Sequence, residues 1–454
     1  MVSTPNQLDA TAVATETRAG RLSVREVAQS VLERIELRDP AVRAWSHLDP
    51  EAVLASADGL DGRETRGLLH GVPVGVKDVI NTRDMPTEHH TARYVGSVPG
   101  VDAACIDTLR SAGALLVGKT VTTEFAATNT GGPTRNPHDP ERTPGGSSSG
   151  SGAAVADLQV AVALGTQTGG STIRPASFTG VYALKPTWNS ISREGLKMYS
   201  ATCDTLGLYA RSGRDLALLA DVFHLDEPDR PLPTSLAGLR VGLCRTPAWD
   251  LAEPATREAL ATAAGVLRDG GAEVAELELP EIFEELPTVH RRILRREGRS
   301  AFLNEHLASP DLPAFFHEMV LGTDTVDSIG WPTGTPDVAD FRAAYRVADR
   351  CRALYDDVAS PFDVVLTPSA PGEAPIGIGN TGSSVFNSLW TLLQVPVVNV
   401  PGLVGPAGMP IGVSIVGRRY QDRLAVACAG LLGAAVAART DDVAPSLPAM
   451  AAFR

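Results

Sequence analysis

Lysine is scarce in this 454-residue chain, which holds four lysines against 36 arginines. The four, Lys77, Lys119, Lys185 and Lys197, all lie in one part of the chain. A buried lysine can lose its proton and act as a neutral amine, whereas arginine in practice stays charged. One interpretation is that lysine is kept where a neutral amine is needed; the alternative is that chance clustering or packing accounts for most of the four.

Cysteine pairs, net positive charge and long apolar runs are also missing. The five cysteines stand far apart without a CxxC pair, which argues against a zinc site or a disulfide framework and favours reduced thiols in a cytoplasmic protein. The formal net charge of -13 argues against a nucleic-acid partner. No basic start precedes an apolar run, so no secretory signal is predicted. The longest apolar stretch, residues 424–438, is too short to cross a bilayer and predicts a core helix.

The hydrophobic pattern divides the chain into four segments. Residues 1–65 have helical spacing, with Ser23 as a candidate N-cap, and predict an N-terminal helical layer. Residues 66–212, the catalytic core segment, alternate short apolar runs with helical stretches, which favours an α/β layer fold. Residues 213–360 are predicted to form a helical excursion from the same sheet, and 361–454 return to β-type runs before a final helix. The basic run at 290–299 is predicted to be a solvated helix face.

Two short motifs match a pattern but fail its context. Residues 113–120, GALLVGKT, satisfy the Walker A expression, yet the letters between the glycines form an apolar strand where a loop is needed. Residues 146–150, GSSSG, satisfy the nucleophile-elbow expression around Ser148, but a loop precedes them where a strand is needed. No histidine lies in a triad context, and without an HExxH cluster no metal is predicted.

Two Gly/Ser-rich stretches carry the chemistry, PGGSSSGSGAAVA from Pro144 and GTQTGGSTIRPASF from Gly165. Glycine frees the backbone to approach a reacting atom, so this second stretch can turn several N–H groups toward one point, as an oxyanion hole requires. Either stretch alone is typical of an ordinary turn. The two together with the lysine of GVPVGVKD favour a catalytic site. The candidate oxyanion residues are Thr168, Gly169, Gly170 and Ser171.

With these segments the chain resembles the amidase signature family over almost its whole length. The matching text includes GVPVGVKDVINT, the two Gly/Ser-rich stretches with their flanks, NSLWTLLQVPVVNVPGL and GMPIGVSIVGRR. The resemblance implies a single large α/β/α domain around a central mixed sheet. It also implies a Ser-Ser-Lys catalytic group that needs neither metal nor cofactor, and a small-molecule amide as substrate.

Residue by residue, the resemblance places the catalytic lysine at Lys77, the bridging serine, usually held by a cis peptide, at Ser147, and the nucleophile at Ser171. A serine hydroxyl is a weak nucleophile until a neighbouring base takes its proton. Lys77 can be that base only when it is neutral. We therefore expect Lys77 to be buried and its pKa to be depressed.

The chain departs twice from the family's usual GTDTGGSIRIP. Gln167 replaces the aspartate, and the arginine moves to Arg174, three residues after the nucleophile. The same departure is found in malonamidase-like members, where this arginine receives the carboxylate of malonamate. The hypothesis is that Arg174 is released toward the pocket and binds a substrate carboxylate, for which its bidentate fork is suited. The alternative is that Arg174 pairs with an internal carboxylate.

Other functions stay open at this point. Glutamine-hydrolysing subunits of tRNA-dependent amidotransferases share the domain and the catalytic group, and an esterase would use the same relay. A non-catalytic binding protein and a nucleotide-binding protein are less favoured. The pocket walls are expected from the region after Gly213 and the loop before Asn387. The sequence leaves open whether the chain forms a homodimer.

Overall fold

The central feature of the computed structural model, which describes residues 4–225, 231–323 and 338–441, is a mixed β-sheet. In these ranges the sheet has eleven strands in the order β1-β3-β2-β4-β6-β5-β10-β11-β9-β7-β8. The predicted α/β fold with a central mixed sheet is confirmed. The strands are β1 Trp45–Leu48, β2 Pro73–Lys77, β3 Leu115–Thr120, β4 Val162–Gln167, β5 Tyr182–Lys185, β6 Thr205–Ala210, β7 Arg240–Leu243, β8 Glu273–Glu276, β9 Val364–Pro368, β10 Val397–Val404 and β11 Pro410–Val416.

Fourteen α-helices accompany the sheet in the described ranges. Ser23 is the N-cap of the second helix, as predicted: its hydroxyl accepts from Glu26 N–H, and the Glu26 carboxylate accepts from Ser23 N–H. None of these helices is both long enough and apolar enough to cross a membrane. They are α1 Ala10–Arg18, α2 Val24–Val42, α3 Pro50–Asp61, α4 Ala104–Ser111, α5 Ser149–Ala156, α6 Ile173–Thr179, α7 Gly213–Val222, α8 Pro254–Asp269, α9 Leu286–Ala301, α10 Leu303–Ala308, α11 Ala314–Leu321, α12 Val338–Val358, α13 Ser388–Leu392 and α14 Asp422–Asp441.

All four sequence segments contribute strands to this sheet. The first segment was expected to be helical throughout, but its β1 pairs antiparallel with β3 at the sheet edge. Four residues contain too few repeats for a period-2 pattern to be recognised, which explains the error. Strands β7 and β8 of the third segment extend the sheet beyond β9 through parallel pairing.

Helices cover both faces of the sheet. In β9, Val364 and Leu366 pack into the large core cluster that includes α8 and α14, whereas Val365 packs into a second cluster with α9, α12 and α13. Because neighbouring strand residues point to opposite faces, the two helix groups lie on opposite sides. Helix α9 is thereby fixed on one face of the sheet.

Candidate active site

The candidate site lies where the parallel strands β2 and β4 end side by side. Lys77 is the last residue of β2, and residues 168–171, here called the oxyanion segment, follow β4 directly. Val76 of β2 pairs with Leu164 of β4, so the carboxyl ends of both strands lie at one edge of the sheet. Ser147 and Ser148 lie just before α5, which packs on both strands. The fold thus gathers the three motif segments at one place.

Lys77 is fully buried among hydroxyl groups. Its Nζ donates to Ser147 Oγ at 2.7 Å, to Thr166 Oγ1 at 2.7 Å and to Ser148 Oγ at 3.0 Å. Burial holds the pKa of Lys77 well below its usual range, although the charge of Asp204 opposes this effect. Because a hydroxyl can donate as well as accept, the same neighbours can serve a neutral amine. The surroundings are those of a base that can receive a proton.

Ser147 and Ser171 take different positions in the site. Ser147 is 3% exposed, and the Gly146–Ser147 peptide is cis, as the family resemblance implied. Ser171 lies in the wall of an open cavity of about 570 Å³. The structure shows the hydrogen bond between Lys77 and Ser147. No hydrogen bond joins the Ser147 and Ser171 hydroxyls among the described residues, so the contact with Ser171 stays a prediction.

The oxyanion segment is held by its carbonyl groups. His290 Nε2 donates to the carbonyl of Thr168 at 2.8 Å, and Thr391 Oγ1 donates to the carbonyl of Gly169 at 2.7 Å. In a planar trans peptide the N–H points opposite to the carbonyl, so the next N–H groups, of Gly169 and Gly170, are turned the other way. In the described part of the chain, no protein acceptor takes the backbone N–H groups of Thr168, Gly169, Gly170 and Ser171.

Gln167 has a structural task at the start of α6. Its Oε1 accepts from the backbone N–H groups of Thr172 at 2.9 Å and Ile173 at 3.0 Å, and its Nε2 donates to Thr391 Oγ1 at 2.9 Å. The amide therefore satisfies N–H groups that the helix itself leaves open. Its partners do not include Arg174.

Arg174 lies in the cavity wall but is held mainly by backbone. Its guanidinium donates to the carbonyls of Gly146 at 2.6 Å and Gly382 at 2.8 Å and to Thr381 Oγ1 at 3.1 Å. Burial lowers its pKa to about 10, so it stays charged at neutral pH. Among the described residues no Asp or Glu forms an ion pair with it, and its buried Nε has no hydrogen-bond partner. The alternative, in which Arg174 pairs with an internal carboxylate, is therefore not seen among the described residues.

His290 was missed by the sequence analysis. The run at 290–299 was predicted to be a solvated face, but His290 and Arg295 are each 5% exposed and both line the cavity. Burial lowers the pKa of His290 to about 4, so the ring is neutral at pH 7. A carbonyl can only accept, so Nε2 carries the single ring proton. The many arginines of this helix suggested a solvated face, so the buried histidine that donates to the oxyanion segment was not recognised.

Replacing His290 with phenylalanine is expected to lower kcat for amide hydrolysis by about 10- to 100-fold, because a displaced Thr168 carbonyl misdirects the neighbouring N–H. His290→Gln, which can still donate a hydrogen bond, should retain most of the rate. The check is steady-state kinetics of both variants with the thermal midpoint measured alongside. Equal losses in both variants would contradict a role for the donated bond.

The cavity runs along α9. His290, Leu294 and Gly298 follow each other at intervals of four residues on one helix face, a distance of about 12 Å. At the far end, Tyr199 and Met319 line the cavity and pack against Gly298. A Cβ added at Gly298 would lie 2.2 Å from Met319 Sδ. The expected wall regions, after Gly213 and before Asn387, both contribute. They supply Pro247, Ala248, Leu251, Leu294, Phe315, Ser383, Ser384 and Val385 among others.

Lys119 holds a loop in place through hydrogen bonds. Its Nζ donates to the carbonyls of Ile80 at 2.7 Å and Pro86 at 3.2 Å and to Thr87 Oγ1 at 2.7 Å. Burial lowers its pKa to about 8, although Asp78 lies 3.6 Å away. It lies at the end of β3, as predicted when the Walker A motif was rejected. In the described ranges, no cluster of three or more His, Cys, Asp or Glu side chains is placed to hold a metal ion.

Comparison with known proteins identifies the family of the chain. Residues 26–426 match the family model described as Amidase. The chain is 34% identical, in an alignment 466 positions long, to a glutamyl-tRNA(Gln) amidotransferase subunit of Chloroflexus aggregans, covering 91% of this chain and 93% of that protein. The family match extends from α2 into α14 and includes every motif discussed above.

Solved structures show the same fold. A chain from a vestigial protein complex tied to the origins of an s-triazine catabolic enzyme has a TM-score of 0.82 and 29% identity, covering 97% of this chain and all of that one. The corresponding glutamyl-tRNA(Gln) amidotransferase subunit of Thermotoga maritima has a TM-score of 0.77 and 25% identity, covering 95% of each chain. The chain therefore belongs to the amidase signature family and is a hydrolase of C–N amide bonds.

Proposed function

We propose that the chain cleaves its amide through an acyl-enzyme on Ser171, with Ser147 as proton relay and Lys77 as base. The observation that carries the proposal is the buried Lys77 amine 2.7 Å from Ser147 Oγ, beside the cavity that Ser171 lines. A desolvated lysine with a depressed pKa can take the proton that a serine nucleophile must lose.

In the proposed reaction, Ser171 Oγ attacks the amide carbon while its proton passes to Ser147 and the Ser147 proton passes to Lys77. The oxyanion segment N–H groups bind the developing negative oxygen. When the C–N bond breaks, Lys77 returns a proton through Ser147 to the leaving nitrogen, and the amine departs. Water then attacks the acyl-enzyme by the same route and releases the carboxylic acid together with free Ser171.

For the substrate we propose a terminal amide in a molecule that also carries a carboxylate, with glutamine as first candidate. The relatives named as glutamyl-tRNA(Gln) amidotransferase subunits support glutamine better than malonamate. Because those relatives are named as subunits, the glutamine candidate also implies that the chain works with partner proteins. Malonamate is the second candidate, favoured by the position of Arg174 in the cavity wall.

The test is ammonia release from glutamine, malonamate, malonamide and propionamide, and acid release from a matched ester, by wild type and Ser171→Ala. Ser171-dependent turnover of glutamine supports the amidotransferase-type function, and turnover of malonamate alone supports the malonamidase-type one. Turnover of neutral amides alone would contradict the proposed carboxylate on the substrate but would still agree with an acyl-enzyme on Ser171. A strong preference for the ester would favour the esterase, and turnover that survives in Ser171→Ala would overturn the mechanism.

Arg174→Gln is expected to raise KM for the carboxylated amides by roughly 10- to 100-fold, the scale of one hydrogen bond to a charged group. KM for malonamide should change far less, since it has no carboxylate. The measurement is KM for malonamate and malonamide in both enzymes. Because Arg174 also holds the Gly146 carbonyl, kcat should fall for both substrates alike. An equal change in both KM values would remove Arg174 from substrate binding.

A further inference from the structure

A buried carboxylate holds the oxyanion segment at a second point, besides the one held by His290. Asp204, the residue before β6, is 6% exposed and does not line the cavity. Its Oδ1 accepts from Thr168 Oγ1 at 2.6 Å, and its Oδ2 accepts from the backbone N–H groups of Tyr199 at 2.6 Å and Ser200 at 3.0 Å. We propose that Asp204 is a positioning residue that sets the direction of the oxyanion N–H groups through Thr168.

Thr168 is fixed at two points. Its carbonyl accepts from His290 and its hydroxyl donates to Asp204, so the residue is held on both its backbone and its side chain. The peptide that begins with the Thr168 carbonyl ends with the Gly169 N–H, which lies in the same plane. Any rotation of Thr168 therefore redirects a donor of the oxyanion hole.

The turn that carries Asp204 is itself anchored to α9. Glu297 of α9 accepts hydrogen bonds from Ser200 Oγ, from Thr202 N–H at 3.1 Å, from Thr202 Oγ1 at 2.6 Å and from Tyr345 OH at 2.8 Å. Glu297 and His290 are seven residues apart, two turns along one helix face. Helix α9 thus meets the oxyanion segment directly through His290 and again through Glu297, the turn and Asp204.

Asp204 is suited to this task as an anion. Burial raises its pKa to about 6, and the hydrogen bond from Thr168 counteracts the burial. Hydrogen bonds to a charged acceptor are shorter and stronger than neutral ones, which restricts Thr168 more tightly than a neutral acceptor would. Since Asp204 touches neither cavity nor nucleophile, its effect on the reaction passes through Thr168.

The test rests on the proposed function, because it uses Ser171 as the reacting group. A fluorophosphonate probe forms a bond from Ser171 Oγ to phosphorus, fluoride leaves, and the serine proton goes to Lys77 through Ser147. The phosphoryl oxygen then needs the oxyanion N–H groups. Thr168→Val replaces the hydroxyl that donates to Asp204 with a methyl group, and Asp204→Asn removes the negative charge of the acceptor. Each is expected to lower the labelling rate constant, followed by intact mass, by about 10- to 100-fold.

The double variant Thr168→Val/Asp204→Asn supplies the sharper readout. If both residues act through one hydrogen bond, the double variant labels no more slowly than the slower single variant, whereas independent effects would multiply. Multiplied losses would overturn the inference, and so would wild-type labelling rates in the single variants. Wild type that shows no Ser171-dependent labelling would instead refute the proposed function, so the two failures are distinguishable.

A matched control exists elsewhere in the chain. Thr187 Oγ1 donates to the buried Asp422 carboxylate at 2.6 Å, and neither residue lines the cavity. Thr187→Val therefore breaks an equivalent threonine–aspartate bond. It should lower the thermal midpoint about as much as Thr168→Val while leaving the labelling rate constant unchanged. A similar fall in labelling for the control would show that the effect is general destabilisation.

Discussion

Ser171→Ala is expected to lower amide hydrolysis by about 10⁴-fold or more, because removal of a serine nucleophile leaves only binding and the oxyanion hole to accelerate the reaction. Ser171 lies in the cavity wall beside N–H groups that have no acceptor among the described residues. The measurement is ammonia release, with fluorophosphonate labelling followed by intact mass as a second readout. The wild type should gain one adduct and the variant none.

Ser149→Ala is the matched control for this prediction. Ser149 is buried in the serine-rich stretch that also holds Ser147, and its hydroxyl has no hydrogen-bond partner in the described chain. Its removal should change the rate little. If Ser171→Ala kept its label while another serine variant lost it, the nucleophile would be assigned to the wrong residue.

Lys77→Met is expected to lower kcat by about 10³-fold, within the range that a general base contributes. Lys77→Arg should be equally slow, although it preserves a cation and hydrogen-bond donors, because a guanidinium stays protonated. The wild-type kcat/KM should rise with pH as Lys77 loses its proton. Because burial depresses the pKa of Lys77, the rise should occur at a lower pH than the usual titration range of lysine. The pH profile of kcat/KM measures this.

Lys119→Met separates this role from the loss of any buried lysine. Lys119 is also fully buried, but its three hydrogen bonds go to a loop that lies away from the cavity. We expect a lower thermal midpoint and an unchanged pH profile. A Lys77→Arg enzyme with wild-type kcat would exclude a neutral amine from the mechanism.

The parts of the site that sequence could predict are those written in contiguous motifs. Lys77, Ser147 and Ser171 each stand in a stretch whose neighbours are as telling as the residue itself. The structure brings Lys77 and Ser147 into contact across 70 residues. Apolar runs likewise predicted most strands, because a buried strand needs apolar side chains on both faces.

The supporting residues could not be predicted, because nothing local marks them. His290 lies in a run of arginines, and its partner Thr168 is 122 residues earlier in the chain. Asp204 stands in an ordinary turn, and its role exists only because β6 pairs with β4 and brings the turn beside the oxyanion segment. Arg174 was recognised from the sequence, but its carbonyl partners Gly146 and Gly382 could not be, because they come from distant loops. Such residues are set by tertiary contacts.

The placement of the four lysines makes primary-amine chemistry a measure of folding. Lys77, Lys119 and Lys185 are wholly buried, and the Lys197 side chain is 17% exposed and bound to Glu305. An N-hydroxysuccinimide ester acylates only an accessible, unprotonated amine, so the native protein should resist modification at all four positions. Unfolding would release the four lysines together, so acylation mapped to the lysines would count unfolded molecules without any substrate.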